Sequence, residues 1–328
     1  MTARSQAKLA TLRLFAARAI LLSVMFLSAS SPSLAEKASE RIKMGFTRSM
    51  FVDLNEADTR AAVKSYALLL ASNANLSISE EPGVYDSPQT VAEAFSGGTA
   101  DIVSLTTAEY LSLPAGSTYP RMIVAAMGGS QTEQYVLVVR QDSPWRTIAD
   151  LRGKRLFIYA SLRGLLSNLW LDVLLASNGL EQAPDFFGSV VSTTKPSRTV
   201  LPVFFQQADA CIVTLTGLKV MTELNPQLHK DLRVIATSPE IIPAVTCFRA
   251  GMPPSLFEQT IKAAVNAQDT TSGQQILMIF QCDKISEITE EHIASVRELL
   301  ETQRRLRSPA AAHIQTTAEQ NHLSYPKS

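Results

Sequence analysis

From Arg41 to Arg305 short apolar runs alternate with stretches of helical spacing, and this alternation limits the fold more than any other feature. The runs "IKMGFT", "LSISEEP", "ADIVSL", "RMIVAAM", "QYVLVVR", "RLFIYA", "FGSVVST", "ADACIVT", "LRVIATS" and "PAVTCFRA" read as strands. Between them lie helical patterns at Asn55–Ala74, at "SPQTVAEAFS" with Ser87 as N-cap and Pro88 at the first position, and at Leu165–Ser177. A further helix is expected with Thr199 as cap and Pro202 within its first turn, where proline is tolerated. Helical stretches at Leu256–Asn266, Ser272–Ile279 and Glu290–Arg305 close the pattern. Strands that alternate with helices build α/β layers around parallel sheets.

The pattern stops and restarts near Gly128-Gly129-Ser130 and again near Ser238-Pro239. Two lobes are therefore expected, the second inserted into the first, with two crossings between them and a ligand cleft where they meet. The boundaries read as 36–130 and 239–307 for the first lobe and 131–238 for the second. A polar, aperiodic tail over 308–328 is expected to fray. Pro239 and Pro243 bracket the second crossing and confine bending to their neighbours.

Residues 1–35 stand apart. Arg4, Lys8, Arg13 and Arg18 precede the short apolar run "ILLSVMFL", and "SLA" ends at Ala35. A basic segment, an apolar segment and a small-x-small site describe a secretory signal peptide cut after Ala35. The apolar run is far shorter than the roughly 20 residues that a membrane span needs. Subtracting these four basic residues from 30 leaves 26 Lys and Arg against 30 Asp and Glu, a net charge of −4. A modestly acidic exported chain fits a bacterial periplasm and lacks the basic face expected of a nucleic-acid binder. Cys211, Cys247 and Cys282 sit in apolar contexts without Cys-x-x-Cys spacing. They read as buried small residues, or as one disulfide and a free thiol. The four histidines fall on polar stretches, and no catalytic, metal or nucleotide motif is present, so neither an enzyme nor a cofactor is expected.

Ligands of open α/β sheets sit beyond the carboxyl ends of the strands. Ser161-Leu162-Arg163-Gly164 occupies such a place, where "RLFIYA" gives way to a helix. A hydroxyl, a guanidinium and a glycine beside a helix N-terminus describe an anion cradle, although simple capping by Ser161 with a solvated Arg163 accounts for the same residues. Equivalent positions after other strands hold Thr47, Arg48 and Ser49, then Thr106 and Thr107, and then Lys195 and Ser197. Tyr85 and Tyr135 are candidate aromatic walls, and Thr214 ends the "ADACIVT" strand.

The order and spacing of "YVLVVRQDSPWRTIADLRGKRLFIY", "GGTADIVSLTTAEYL", "QQADACIVT" and "LRVIATSPEIIPAVTCFR" resemble the periplasmic substrate-binding proteins of phosphate, phosphite and phosphonate ABC transporters. The resemblance runs over about residues 42–305. It implies a two-lobe, type II-like periplasmic-binding-protein fold that closes on a small oxyanion and delivers it, as a monomer, to an inner-membrane permease. The alternative role for such a fold is a periplasmic sensing subunit that reports to a signalling kinase. The family's loop of the form Ser-Thr-Ser-Gly is replaced here by Ser161-Leu162-Arg163-Gly164, and an acid that pairs with ligand amines is replaced by Thr214. These departures point away from aminoalkylphosphonates and toward phosphate, phosphite or a simple phosphonate.

Overall fold

The computed structural model describes residues 41–51, 61, 64, 77–79, 81–279 and 282–308. The expected leader over 1–35, the tail beyond Ser308 and most of the helix over 55–74 lie outside the described residues. No helix among the described residues is long and apolar enough to cross a membrane.

Strands β1 (Met44–Thr47), β2 (Gly83–Tyr85), β3 (Ile102–Thr106), β4 (Arg121–Ala126), β10 (Ala244–Phe248) and β11 (Lys284–Thr289) form one sheet, in the order β11-β4-β10-β3-β1-β2. Strands β5 (Tyr135–Arg140), β6 (Arg155–Tyr159), β7 (Ser189–Thr193), β8 (Ala210–Thr214) and β9 (Leu232–Thr237) form the other, in the order β7-β6-β8-β5-β9. Neither sheet is purely parallel. β10 runs antiparallel to β3 and β4, and β5 runs antiparallel to β8 and β9, because each of these strands follows a crossing and enters its sheet from the far edge.

Alternating side chains bury both faces of each sheet. On one face of the first sheet Met44, Ile102, Ile123 and Phe248 pack under α8 (Pro254–Val265) and α9 (Thr271–Ile279). On its other face Val103, Leu105, Met122 and Val245 meet α1 (Pro88–Ser96) and Tyr110 of the short α2 (Thr107–Tyr110). In the second sheet Leu137, Leu156, Ile158 and Ile212 pack against α3 (Ser167–Ser177). Val136, Val138, Cys211 and Val213 pack against α5 (Pro196–Phe204) and α6 (Leu215–Leu224), which follow the short α4 (Ala183–Phe186) and precede α7 (Pro226–Asp231).

Several local readings shift. α5 begins at Pro196, not after Thr199, so Pro202 lies in its last turn. Among the described residues of the expected "LSISEEP" strand, only an isolated bridge between Ile78 and Ile42 forms, and the ladder with β1 uses Gly83–Tyr85. Residues 284–289, between the helices expected at Ser272–Ile279 and Glu290–Arg305, form an edge strand that the sequence pattern does not announce. The last helix, α10 (Ala294–Leu306), buries Val296 and Leu299 in the core around α3, and Arg307 pairs with Asp172 of α3 at 2.6 Å. The chain therefore joins the two layers a third time, beyond the two crossings expected. Cys211, Cys247 and Cys282 form no disulfide with one another, and Cys211 and Cys247 are buried.

Candidate functional site

β4 ends at Ala126 and β10 starts opposite Thr106, both at the carboxyl edge of the first sheet's parallel strands. β5 starts opposite Thr214 and β9 ends opposite Val136, both at the carboxyl edge of the second. Both crossings therefore run from carboxyl edge to carboxyl edge, and the two edges meet there. Glu133 and Ile241, one from each crossing, exchange two backbone hydrogen bonds of 2.8 Å. Thr107 ties the second crossing to the first sheet: its hydroxyl donates to the Ile242 carbonyl at 2.6 Å and its N–H to Pro243 at 3.0 Å. Thr107 is completely buried, so it fastens the crossing and presents nothing to a guest.

At the first edge, β1 and β3 are parallel neighbours whose last residues are Thr47 and Thr106. A carboxylate not singled out from the sequence, Glu109 of α2, gathers their hydroxyls. Thr47 Oγ1 donates to Glu109 Oε2 at 2.8 Å, Thr106 Oγ1 and its N–H each donate at 2.9 Å, and Ser49 Oγ donates to Oε1 at 2.7 Å. The Thr106–Glu109 pair is a capping box, a spacing visible in "TTAE". Arg48, exposed, ion-pairs with Asp86 at 2.7 Å. Tyr85 does not wall the gap. Its ring folds back along β2, where a Cβ on Gly45 or Gly83 would lie 2.4 Å from it, and it packs on the core beneath α1. Burial, helped by the charge of Asp101, raises the pKa of its phenol.

At the second edge, the strand-to-helix step carries a 3₁₀ turn over Leu162–Gly164 before α3 begins at Ser167. The start of α3 is buried. Leu166 N–H donates to Tyr135 Oη at 3.3 Å, and Ser167 Oγ donates to the Tyr159 and Gly164 carbonyls. The Leu166 N–H and the Ser167 hydroxyl are thus engaged within the core and are not offered to a guest. Gly164 is required by packing, because a Cβ there would stand 2.2 Å from the Tyr159 carbonyl oxygen. Tyr135 is likewise core: it is 0 % exposed, its hydroxyl donates to the Arg163 carbonyl at 3.0 Å, and burial raises its pKa. Thr214 is buried and caps α6 by accepting the Gly217 N–H.

Arg163 is held by the first crossing. Its Nη1 donates to the Met127 carbonyl at 2.9 Å, and its Nη2 pairs with Glu133, whose side chain is 2 % exposed. Burial lowers the guanidinium pKa, and the nearby Asp283 opposes that shift. Asp283 also accepts the Gly129 N–H at 2.7 Å, so the Gly128-Gly129 turn is anchored from the first sheet. A buried carboxylate needs a charge partner, and Arg163 supplies it. Ser161 is half-buried, and its hydroxyl makes no hydrogen bond to a described residue. Lys195 and Ser197, exposed after β7, complete this edge. The structure thus brings Thr47, Ser49 and Thr106 together on one edge and Ser161, Lys195 and Ser197 onto the other. Tyr135 and Thr107 lie beneath these edges, and Tyr85 lies back along its strand.

Two α/β layers joined by crossings at their carboxyl edges define the two-lobe periplasmic binding proteins, and comparison with solved structures shows that fold. A Xanthomonas citri protein bound to chloride ion is 18% identical with a TM-score of 0.58, over 81% of this chain and 98% of that one. A binding protein component of an ABC phosphonate transporter from Pseudomonas aeruginosa is 12% identical with a TM-score of 0.54, over 87% and 96%. PhnD1 from Prochlorococcus marinus, in complex with methylphosphonate, is 14% identical with a TM-score of 0.53, over 80% and 97%. No curated protein matches the sequence. The pattern of the family "ABC transporter, phosphonate, periplasmic substrate-binding protein" matches residues 54–293, and the chain belongs to that family.

Proposed function

We propose that this chain is the exported solute-binding component of an ABC importer, which captures a small oxyanion of the phosphonate, phosphite or phosphate class and passes it to a membrane permease. The observation that carries this reading is the convergence of two hydroxyl-bearing carboxyl edges at a pair of crossings, within a family of periplasmic binding proteins. In this reading Ser161, Lys195 and Ser197 receive the anion from the second edge. Ser49 meets it from the first, where Thr47 is fully buried and Thr106 nearly so, and Arg163 positions the Ser161 turn. Residues 1–35 act as the export signal, and the protein works as a monomer. Closure of the lobes excludes water, which strengthens each charge-assisted hydrogen bond and gives the permease a shape to read.

A thermal-shift screen with phosphate, phosphite, methylphosphonate, sulfate and small organic acids tests the reading. A guest at 100 times its dissociation constant stabilises by about 2.7 kcal/mol. Melting should rise with at least one phosphorus oxyanion and not with the organic acids. No rise with any phosphorus oxyanion contradicts the assignment.

A further inference from the structure

We propose that Asp283 is a positioning residue for the guest site, acting from the first sheet through the Gly128-Gly129 turn and Arg163. The role in binding rests on the oxyanion reading above; the grip on the turn does not. A pair of glycines at a crossing suggests a loose joint, and here the pair does the opposite. Met127 and Ser130 exchange backbone hydrogen bonds of 2.9 and 3.3 Å, and Gly128 and Gly129 between them have φ of 60° and 78°. Two left-handed residues inside such a pair make a tight hairpin turn, a shape that glycine adopts without strain.

The turn is gripped from both sheets. On one side Asp283, the residue before β11, donates its N–H to the Ala126 carbonyl at 2.9 Å and accepts the Gly129 N–H on its carboxylate at 2.7 Å. On the other side Arg163 Nη1 donates to the Met127 carbonyl at 2.9 Å and stands 3.5 Å from where a Cβ on Gly128 would lie. Arg163 belongs to the 3₁₀ turn that follows Ser161, and its Nη2 pairs with Glu133. A run of contacts therefore leads from the first sheet through Asp283, the glycine turn and Arg163 to the hydroxyl-bearing turn of the second. A bend at Gly129 would move the carbonyl that Arg163 holds, and the Ser161 turn would follow.

Asp283 is exposed, so substitution there spares the core. Amide hydrogen exchange of the guest-free chain, read by NMR, and isothermal titration of phosphate, phosphite and methylphosphonate compare wild type with Asp283→Ala and Asp283→Asn. Alanine removes the acceptor for Gly129, and asparagine keeps one. Gly164 donates its N–H to the Ser161 carbonyl at 2.6 Å and so reports on the guest turn. In Asp283→Ala the Gly129 and Gly164 amides should both exchange about tenfold faster or more, and a phosphorus oxyanion should bind about threefold or more weakly. Asp283→Asn should recover both toward wild type. Faster exchange at Gly129 alone, or an affinity within about twofold of wild type in Asp283→Ala, overturns the positioning role and leaves the oxyanion reading intact. Losses as large in Asp283→Asn as in Asp283→Ala overturn it too, because they follow the charge and not the grip. A wild-type chain that binds no phosphorus oxyanion overturns the oxyanion reading, while the joint response of Gly129 and Gly164 still decides the grip.

Discussion

Replacing Arg163 with methionine leaves the Glu133 carboxylate buried with no charge partner. The two side chains are 21% and 2% exposed, so Glu133 cannot turn to water while Arg163 is partly screened. Breaking a buried pair by removing one partner costs about 3–5 kcal/mol, and the partial exposure of Arg163 places this case near the lower end, at about 3 kcal/mol. For a domain of this size about 1 kcal/mol moves the melting temperature by about 2–4 °C, so a fall of about 6–12 °C is expected. The assay is thermal and urea unfolding of Arg163→Met, Glu133→Gln and the double variant, followed by circular dichroism. The double variant removes both charges and should lie within about 1 kcal/mol of wild type, which gives a coupling of at least about 2 kcal/mol in the cycle, larger by whatever Glu133→Gln alone loses. Equal and additive losses, or an Arg163→Met variant within about 0.5 kcal/mol of wild type, would refute the claim that Arg163 exists to neutralise Glu133 at the crossing.

Thr107→Val keeps the shape but leaves the Ile242 carbonyl without its 2.6 Å donor, and should cost about 1–3 kcal/mol in urea unfolding. Gly164→Ala places a methyl 2.2 Å from the Tyr159 carbonyl oxygen, so the Ser161 turn must shift. Unfolding should show a loss of about 1–3 kcal/mol, and a neutral result would mean that the turn relaxes freely. Glu181 has its pKa lowered from 4.5 to about 2, first by the Arg152 hydrogen bond. A carboxyl depressed in the folded state adds stability above its unfolded pKa and loses it as pH falls through the folded value. The melting difference between wild type and Glu181→Gln should thus be full above about pH 5 and vanish toward pH 2.

Most of the strands and helices were legible in the sequence, because β-branched runs and helical spacing both reflect one-sided or two-sided burial. The failures have particular causes. Lys284–Thr289 carries too few apolar positions to show a strand's period: Ile285 and Ile288, three residues apart, lie on opposite faces of an edge strand. "LSISEEP" alternates as a strand should, yet pairing concentrates on Gly83–Tyr85, where two glycines let the Tyr85 ring lie flat. The site was legible only as a set of strand ends. Which hydroxyls were already engaged depended on Glu109, which reads as the polar face of a short helix. What held Arg163 depended on Glu133, which sits in a polar "SQTEQ" crossing, and a linear pattern does not show that the second crossing covers it.

The central claim is that an oxyanion binds between the two carboxyl edges and engages both at once. Hydrogen–deuterium exchange with and without saturating methylphosphonate, phosphite or phosphate tests it most directly. The account predicts slowed exchange together in Thr47–Ser49 and Thr106–Glu109 on one edge and in Tyr159–Gly164 and Thr193–Lys195 on the other. Slowed exchange on one edge alone, or on neither in the presence of a guest that raises the melting temperature, would contradict it.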